Sequence, residues 1–223
     1  MARKKPYDDG CATAHALDLI GERWALLIVR ELIPGPKRFS DLKAALCGIS
    51  TNILTTRLLE LEAGHLVVRR KLPPPAASQV YALTPWGADL EPLIKDIGRW
   101  AARSPTLAPG KPMSAASVML SFRTMFNAER AAGLDVEAAL VLDGVPHRVR
   151  IKHSELEIAI GEAVQPAFTL SGDPNLVAGL VYGGMTLDAV RAAGLSVEGD
   201  TALAQRFATL FPLPEKAGTA ASG

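Results

Sequence analysis

The sequence predicts two domains: a mainly α winged helix–turn–helix domain, then an α+β domain. Three observations predict this. Helical stretches, a two-stranded hairpin and a further helix follow one another within about ninety residues, the order of a winged helix–turn–helix. A Pro- and Gly-rich stretch, Ser104-Pro-Thr-Leu-Ala-Pro-Gly-Lys-Pro112, then interrupts the chain. Beyond it, strand-like runs alternate with turn residues and helical stretches, which is an α+β pattern. The expected boundaries are 8–105 for the first domain, 106–112 for a linker, 113–212 for the second domain and 213–223 for a flexible tail.

In the first half, Ala12 to Ile20 and Trp24 to Leu32 are apolar at helical spacing around Gly21, and Pro34-Gly-Pro36 stops the second helix. Ser40 is expected to cap a short helix over Asp41 to Leu46 that ends at Gly48. Ser50 caps the next helix, which runs to Ala63 and stops at Gly64. Leu66 to Leu72 and Gln79 to Leu83 read as strands joined by a loop tip of Pro73-Pro-Pro75 with Ala76-Ala77-Ser78. Thr84, with Pro85 at the first helical position, opens one long helix to Arg103.

Composition bounds what such a chain can be. Hydrophobic residues make up 48% and charged residues 21%, enough apolar side chains to exclude a disordered chain. No apolar run reaches the roughly 18 residues that cross a bilayer, and no secretory h-region follows the basic start, so a cytoplasmic protein is expected. Cys11 and Cys47 are too few for a disulfide scaffold. His15, His65, His147 and His153 are scattered, without metal spacing, and no phosphate-binding glycine loop occurs. Asp143 and Glu155 read as turn residues, and His147 and His153 as solvated strand ends. No catalytic site, metal or cofactor is expected. The net charge of +1 hides an asymmetry: residues 1–110 hold 15 Lys and Arg against 11 Asp and Glu, a net of +4. Residues 111–223 hold 9 against 12, a net of −3. The basic excess sits where a nucleic-acid contact would need it.

The helix from Thr51 to Ala63 carries the most informative face. Leu54, Leu58 and Leu61 form its buried stripe. Opposite lie Thr51, Asn52, Thr55, Thr56 and Leu59, a neutral face with small hydrogen-bonding groups suited to a major groove. Asn52 either pairs with an adenine edge or acts as a second capping residue. Lys37, Arg38 and Arg57 flank this helix, with Arg69-Arg70-Lys71 on the first strand, and read as phosphate clamps alongside Ser50 at the helix start. The alternative for the strand is a solubilised edge. Double-stranded DNA is the partner this pattern implies. Cys11 precedes a helix, where the helix dipole and nearby Arg3, Lys4 and Lys5 favour a thiolate, unless it is a packing cysteine; Cys47 reads as inert.

Several ordered blocks carry a resemblance: Cys11 with Ala16-Leu-Asp-Leu-Ile-Gly-Glu-Arg-Trp24, Ile28-Val-Arg-Glu-Leu32, Gly35-Pro-Lys-Arg-Phe-Ser-Asp-Leu42, Gly48-Ile-Ser50, Leu54-Thr-Thr-Arg-Leu58 and Tyr81-Ala-Leu-Thr-Pro-Trp-Gly87. This stretch resembles HxlR-type winged-helix regulators over about residues 8 to 105, departing from them at Ala12 and Cys47, where proline is usual or frequent. The resemblance implies a bacterial homodimer reading a pseudo-palindromic operator. Its first and last helices would pair across the two-fold axis, here through Leu17, Leu90, Leu93, Ile94, Ile97 and Trp100. It also implies an oxidant- or electrophile-sensing role for Cys11, as in some relatives.

In the second half, Ser114 to Ala132 reads as a helix with Val118, Phe122, Met125 and Phe126 on one side. Strands over 136–142, 146–152, 156–160 and 167–170 predict a small antiparallel sheet, followed by helices from Pro174, Thr186 and Asp200 with a short strand at 195–198. Phe168-Thr-Leu-Ser-Gly-Asp-Pro174, Leu187-Asp-Ala-Val-Arg-Ala-Ala-Gly194 and Val197-Glu-Gly-Asp-Thr-Ala202 resemble sterol carrier protein type-2 domains. That resemblance implies a cavity for an apolar small molecule, with Phe122, Met125, Phe126, Leu176, Leu180, Val181 and Met185 as candidate lining; the alternative is that they are simply core. The leading expectation is a transcriptional regulator whose second domain senses such a ligand. Its rival is a lipid or small-molecule carrier that uses the winged helix only to dimerise.

Overall fold

The first eight elements run α1 (Ala12–Ile20), α2 (Ala25–Leu32), α3 (Phe39–Ala45), α4 (Thr51–Ala63), β1 (Val67–Lys71), β2 (Gln79–Leu83), α5 (Pro85–Ala88) and α6 (Leu90–Ala102). This computed structural model describes residues 6–73, 78–108 and 110–218. The loop-tip residues Pro74 to Ala77, the basic Arg3, Lys4 and Lys5, and the last residues of the expected tail lie outside that range. The chain divides into two units between Ile94 and Lys95.

In the first unit, Ile28, Leu32, Leu42, Leu46, Ile49, Leu54, Leu58 and Leu61 form the core that joins α2, α3 and α4. The apolar stripe read from the sequence of α4 is therefore its buried face. Ser50 caps α4, its Oγ accepting from the Ile53 amide at 3.2 Å. At the other end, a Cβ on Gly64 would stand 3.2 Å from Leu19 Cδ2, so glycine lets α1 approach closely. The left-handed turn falls one residue later, on His65 at φ 58°.

Two boundaries depart from expectation. Helix α3 starts at Phe39, so Ser40 lies inside it; Asp41 supplies the cap, accepting from the Arg38 amide at 3.1 Å. The single long helix expected after Thr84 is two helices, α5 and α6, broken at Asp89. Pro92 explains the break: inside one uninterrupted helix it would leave the Ala88 carbonyl unbonded and clash with it, whereas in the first turn of α6 it is tolerated. Gly87 is required in α5, because a Cβ there would overlap the Leu66 carbonyl oxygen.

The wing is a hairpin of β1 and β2 with Arg69 opposite Tyr81 and Lys71 opposite Gln79. Lys37 extends it: its amide donates to the Tyr81 carbonyl at 3.0 Å, and the Tyr81 amide donates back at 2.8 Å.

The second unit contains α7 (Ala115–Met125), β3 (Val136–Leu142), β4 (Val145–Lys152), β5 (Glu155–Ile160), β6 (Phe168–Gly172), α8 (Pro174–Tyr182), α9 (Leu187–Ala192), β7 (Ser196–Gly199) and α10 (Thr201–Ala208). Helix α7 ends before the expected Ala132, because Phe126 turns to an extended conformation and Asn127 starts a turn, its Oδ1 accepting from the Arg130 amide at 2.8 Å. The five strands lie in the order β5-β4-β3-β6-β7. The sheet is mixed where an antiparallel one was expected: β6 pairs parallel with β3. The connection 161–167 carries the chain past β4 and β3, and Glu137 at the start of β3 pins it, taking the Val164 amide on Oε1 and the Ala167 amide on its carbonyl. Positive φ at Asp143 and Gly144, and again at His153 and Ser154, makes the two tight hairpin turns. Inward side chains of the sheet, Ala138, Leu140, Leu142, Val149, Ile151, Ile158, Phe168 and Leu170, share one core with Phe122, Val177, Val190 and Phe207 from the helices. His147 shares the parity of Val149 and is buried, not the solvated strand end expected of it; its Nδ1 lies 3.3 Å from the Leu140 carbonyl.

The expected flexible tail is fastened at its start. Lys216 Nζ donates to the carbonyls of Ala102 and Ser104 at 3.1 and 3.0 Å, and the Ala217 amide donates to Arg103 at 2.7 Å. An ammonium on the last carbonyls of α6 satisfies groups that the helix leaves unpaired and complements its dipole.

Candidate nucleic-acid interface

Helices α3 and α4, joined by the turn from Leu46 to Ser50, form the helix–turn–helix, and the buried leucines of α4 turn its first residues outward. Thr51, Asn52 and Thr55 are exposed there, and Thr56 is half-buried beside them. Ser50 and Thr55 also serve the helix itself, Ser50 as its cap and Thr55 through Oγ1 donating to the Thr51 carbonyl at 2.9 Å. The Thr55 methyl and the Asn52 amide remain on the open face. Ile53 is exposed next to Asn52, a residue not singled out from the sequence. The signal was present, since Ile53 falls off the stripe of Leu54, Leu58 and Leu61.

The basic residues expected around this face divide into two groups. Lys37, Arg57 and Arg69, expected as phosphate clamps, are each paired with a carboxylate. Lys37 Nζ lies 2.7 Å from Glu31, a carboxylate with no exposed surface that also takes Arg30 at 2.9 Å. Burying Glu31 requires such partners, which is why Lys37 turns inward. Arg57 pairs with Glu60 and, at 3.3 Å, with Glu22 in the turn between α1 and α2. Arg69 pairs with Glu62 at 3.0 Å and lies over the Tyr81 ring. Arg38, Arg70 and Lys71 form the second group. Arg38 is exposed and its Nε donates to Ser78 Oγ at 3.1 Å, while Arg70 and Lys71 are exposed with no ion pair among the described residues.

The apolar residues expected to pair protomers also divide. Leu90 is buried and Ile94 packs on the first core, so both belong to the fold of the winged helix. Leu93 and Ile97 are about half exposed and Trp100 is 76% exposed, at positions i, i+4 and i+7 on the other side of α6; Leu17 on α1 is exposed as well. Cys11 is exposed at the start of α1. Its thiol is lowered from the ordinary cysteine value, first by the Thr13 amide and then by the Thr13 hydroxyl and Ala14 amide, which favour the thiolate at the helix start. Cys47 is exposed in the turn before α4.

Residues 19–106 match the HxlR-like helix-turn-helix family. The HTH-type transcriptional regulator YvaP of Bacillus subtilis is 40% identical over 86 residues, which are 39% of this chain and 80% of YvaP. The chain belongs to the HxlR-like family. YodB of Bacillus subtilis, also an HTH-type transcriptional regulator, is 37% identical over 86 residues, 39% of this chain and 77% of YodB. The solved structure of reduced YodB aligns with 46% of this chain and all of that one, at 34% identity and a TM-score of 0.39. This HxlR-like chain is longer than such relatives by its second half, in which residues 128–212 match the SCP-2 sterol transfer family.

Of the candidate ligand-lining residues, Phe122 and Leu180 are core: the Phe122 ring stacks on Phe211 at 4.3 Å and meets Phe207 edge-on at 5.6 Å. Met125, Phe126, Leu176, Val181 and Met185 are partly buried at the margin of that core. Tyr182 lies among them, its hydroxyl 2.9 Å from Ser121 Oγ, and burial pushes its phenol well above the usual range. Among the described residues no group of His, Cys, Asp or Glu is arranged to hold a metal, and no helix is long and apolar enough to cross a membrane.

Proposed function

We propose that this HxlR-like protein is a homodimeric, sequence-specific DNA-binding transcriptional regulator whose second domain takes an apolar small molecule. One observation carries the DNA reading: the first turns of α4 present Thr51, Asn52, Ile53 and Thr55 to solvent on a helix whose other face is locked into the core. Asn52 is suited to an adenine edge, and the Ile53 side chain and Thr55 methyl to thymine methyls. Arg38, Arg70 and Lys71 supply the contacts to phosphate, with Ser50 and Thr56 beside them. Leu17 on α1, and Leu93, Ile97 and Trp100 along α6, are the exposed apolar residues that a second copy would cover, placing two recognition helices on the half-sites of a pseudo-palindrome.

The effector reading is supported by the match to the SCP-2 family and by the partly buried methionines and aromatics around Tyr182. A carrier that used the winged helix only for dimerisation would have no use for an exposed Asn/Thr face. In this regulator the ligand or the Cys11 thiolate shifts affinity for DNA through the dimer.

The test is selection of duplexes from a random pool, followed by anisotropy titration against the selected and a scrambled duplex. The regulator binds the selected duplex far more tightly, with two protomers per site and an affinity that falls as salt rises. Equal affinity for both duplexes would contradict the reading.

A further inference from the structure

We propose that Arg69 is a positioning residue, tying the wing to the last turn of the recognition helix, and is not a ligand of DNA phosphate. The inference rests on the reading of α4 as the helix that enters the groove. Arg69 Nη2 donates to Glu62 Oε2 at 3.0 Å, and Glu62 belongs to the last turn of α4. The face of the same guanidinium lies 5.3 Å from the centroid of the Tyr81 ring on the neighbouring strand. The Tyr81 backbone is in turn bonded in both directions to Lys37, just before α3. A planar guanidinium engaged by a carboxylate at its edge and by a ring on its face has a set orientation, which an extended Lys or Arg on a solvated strand lacks. The hydrogen bond to Glu62 and the field of Tyr81 also raise the Arg69 pKa, in keeping with this geometry.

The register puts Lys71, at the wing tip, on the same side as Arg69 and places Arg70 on the other. Arg69 lies opposite Tyr81 and shares its side of the hairpin, whereas Arg70 lies opposite Val80 on the other side. The bond from Arg69 to Glu62 ties β1 to the last turn of α4, while Arg57, a turn earlier on that helix, lies 3.3 Å from Glu22 without a hydrogen bond to it. The strut from Arg69 to Glu62 sets the angle between recognition helix and wing, and that angle decides whether α4 and Lys71 reach groove and backbone together.

The test compares wild type, Arg69→Ala, Lys71→Ala, Arg69→Glu and the reciprocal pair Glu62→Arg with Arg69→Glu, titrated against one selected duplex over a range of salt. Lys71→Ala lowers the slope of log affinity against log salt by about 0.9, as the loss of one phosphate contact does. Arg69→Ala leaves that slope unchanged and weakens binding about two- to fivefold. Arg69→Glu is weaker again, and the reciprocal pair brings affinity back towards wild type, which a glutamate facing phosphate cannot do. A slope lowered by about 0.9 in Arg69→Ala, or a reciprocal pair as weak as Arg69→Glu, overturns the proposal. A second measurement needs no DNA: in thermal unfolding, Arg69→Ala, Glu62→Ala and the double variant lower the midpoint by the same amount. Additive losses would show that the two side chains are not coupled, and would overturn the strut even if wild type bound no duplex. A wild type without salt-dependent binding sinks the DNA reading instead.

Discussion

The two units fill their interiors with different side chains. The first core is aliphatic, from Ala25, Ile28 and Val29 through Leu42, Leu54, Leu58 and Leu61, with Trp24, Phe39 and Tyr81 only at its margin. The second is built around rings, Phe122 between Phe207 and Phe211, with Phe168 and Tyr182 in contact with that group. The first unit leaves Trp86 and Leu93 in solvent, and α6 carries Ile97 and Trp100 beyond it. Within the second unit the phenylalanine rings Phe122, Phe168, Phe207 and Phe211 are buried, whereas Trp100 on α6 is exposed. The difference lies in what fills each interior: interlocking aliphatic side chains in the first unit, and a cluster of rings in the second.

The largest effect that would sharpen this comparison is expected from Phe122→Ala. It removes the ring at the centre of the second core, a change of about 3–5 kcal/mol. In calorimetry the second unit is expected to melt earlier while the winged helix keeps its own transition and its DNA binding. One common transition at the lower temperature would show that the two cores are not separate cooperative units.

Next in size is the partner surface. Asp at both Ile97 and Trp100 is expected to raise the dimer dissociation constant at least about thirtyfold in sedimentation velocity, with little change in the thermal stability of the monomer. An unchanged dimer would remove this face of α6 from the interface. Leu90 provides the contrast, because it is buried in the first core and its truncation is expected to lower stability.

Much of this was legible in the sequence where a signal repeats or has a marked end. Helix α4 was read to the residue because Leu54, Leu58 and Leu61 set its period and Ser50 and Gly64 its ends. Strand β3 was read equally well, as a strand-like run ended by the turn at Gly144. What escaped depends on partners distant in the chain. Nothing periodic announces that Lys37 turns to Glu31, Arg57 to Glu22 or Arg69 to Glu62, so basic residues that brace the domain looked like those that face solvent. The parallel pairing of β6 rests on a crossover pinned by Glu137, and the docking of Lys216 on α6 joins residues at opposite ends of the second unit. Pro92 is a local signal in the sequence for the break between α5 and α6.

Lys216→Ala is expected to have a smaller effect, about 0.5–1 kcal/mol, through loss of a partly exposed cation on helix carbonyls. Differential scanning calorimetry reads it as a lowered midpoint of the second unit only; no change would mean that the tail does not hold α6. Smaller still is the signature of Cys11. Because its thiol is lowered from the ordinary value, it is expected to react with iodoacetamide at pH 7 about a few-fold faster than a free cysteine, and the advantage fades as pH rises and both become thiolate. Equal rates at pH 7 would remove the helix start as a cause of thiolate formation.

The central claim is that the open face of α4 reads sequence while the outward basic residues only hold the backbone. The most direct test is the ratio of affinities for the selected and scrambled duplexes in wild type, Asn52→Ala and Lys71→Ala. The account predicts that Asn52→Ala lowers this ratio by about 5- to 100-fold, and that Lys71→Ala weakens both duplexes alike and leaves it unchanged. A ratio that survives Asn52→Ala and falls with Lys71→Ala would contradict it.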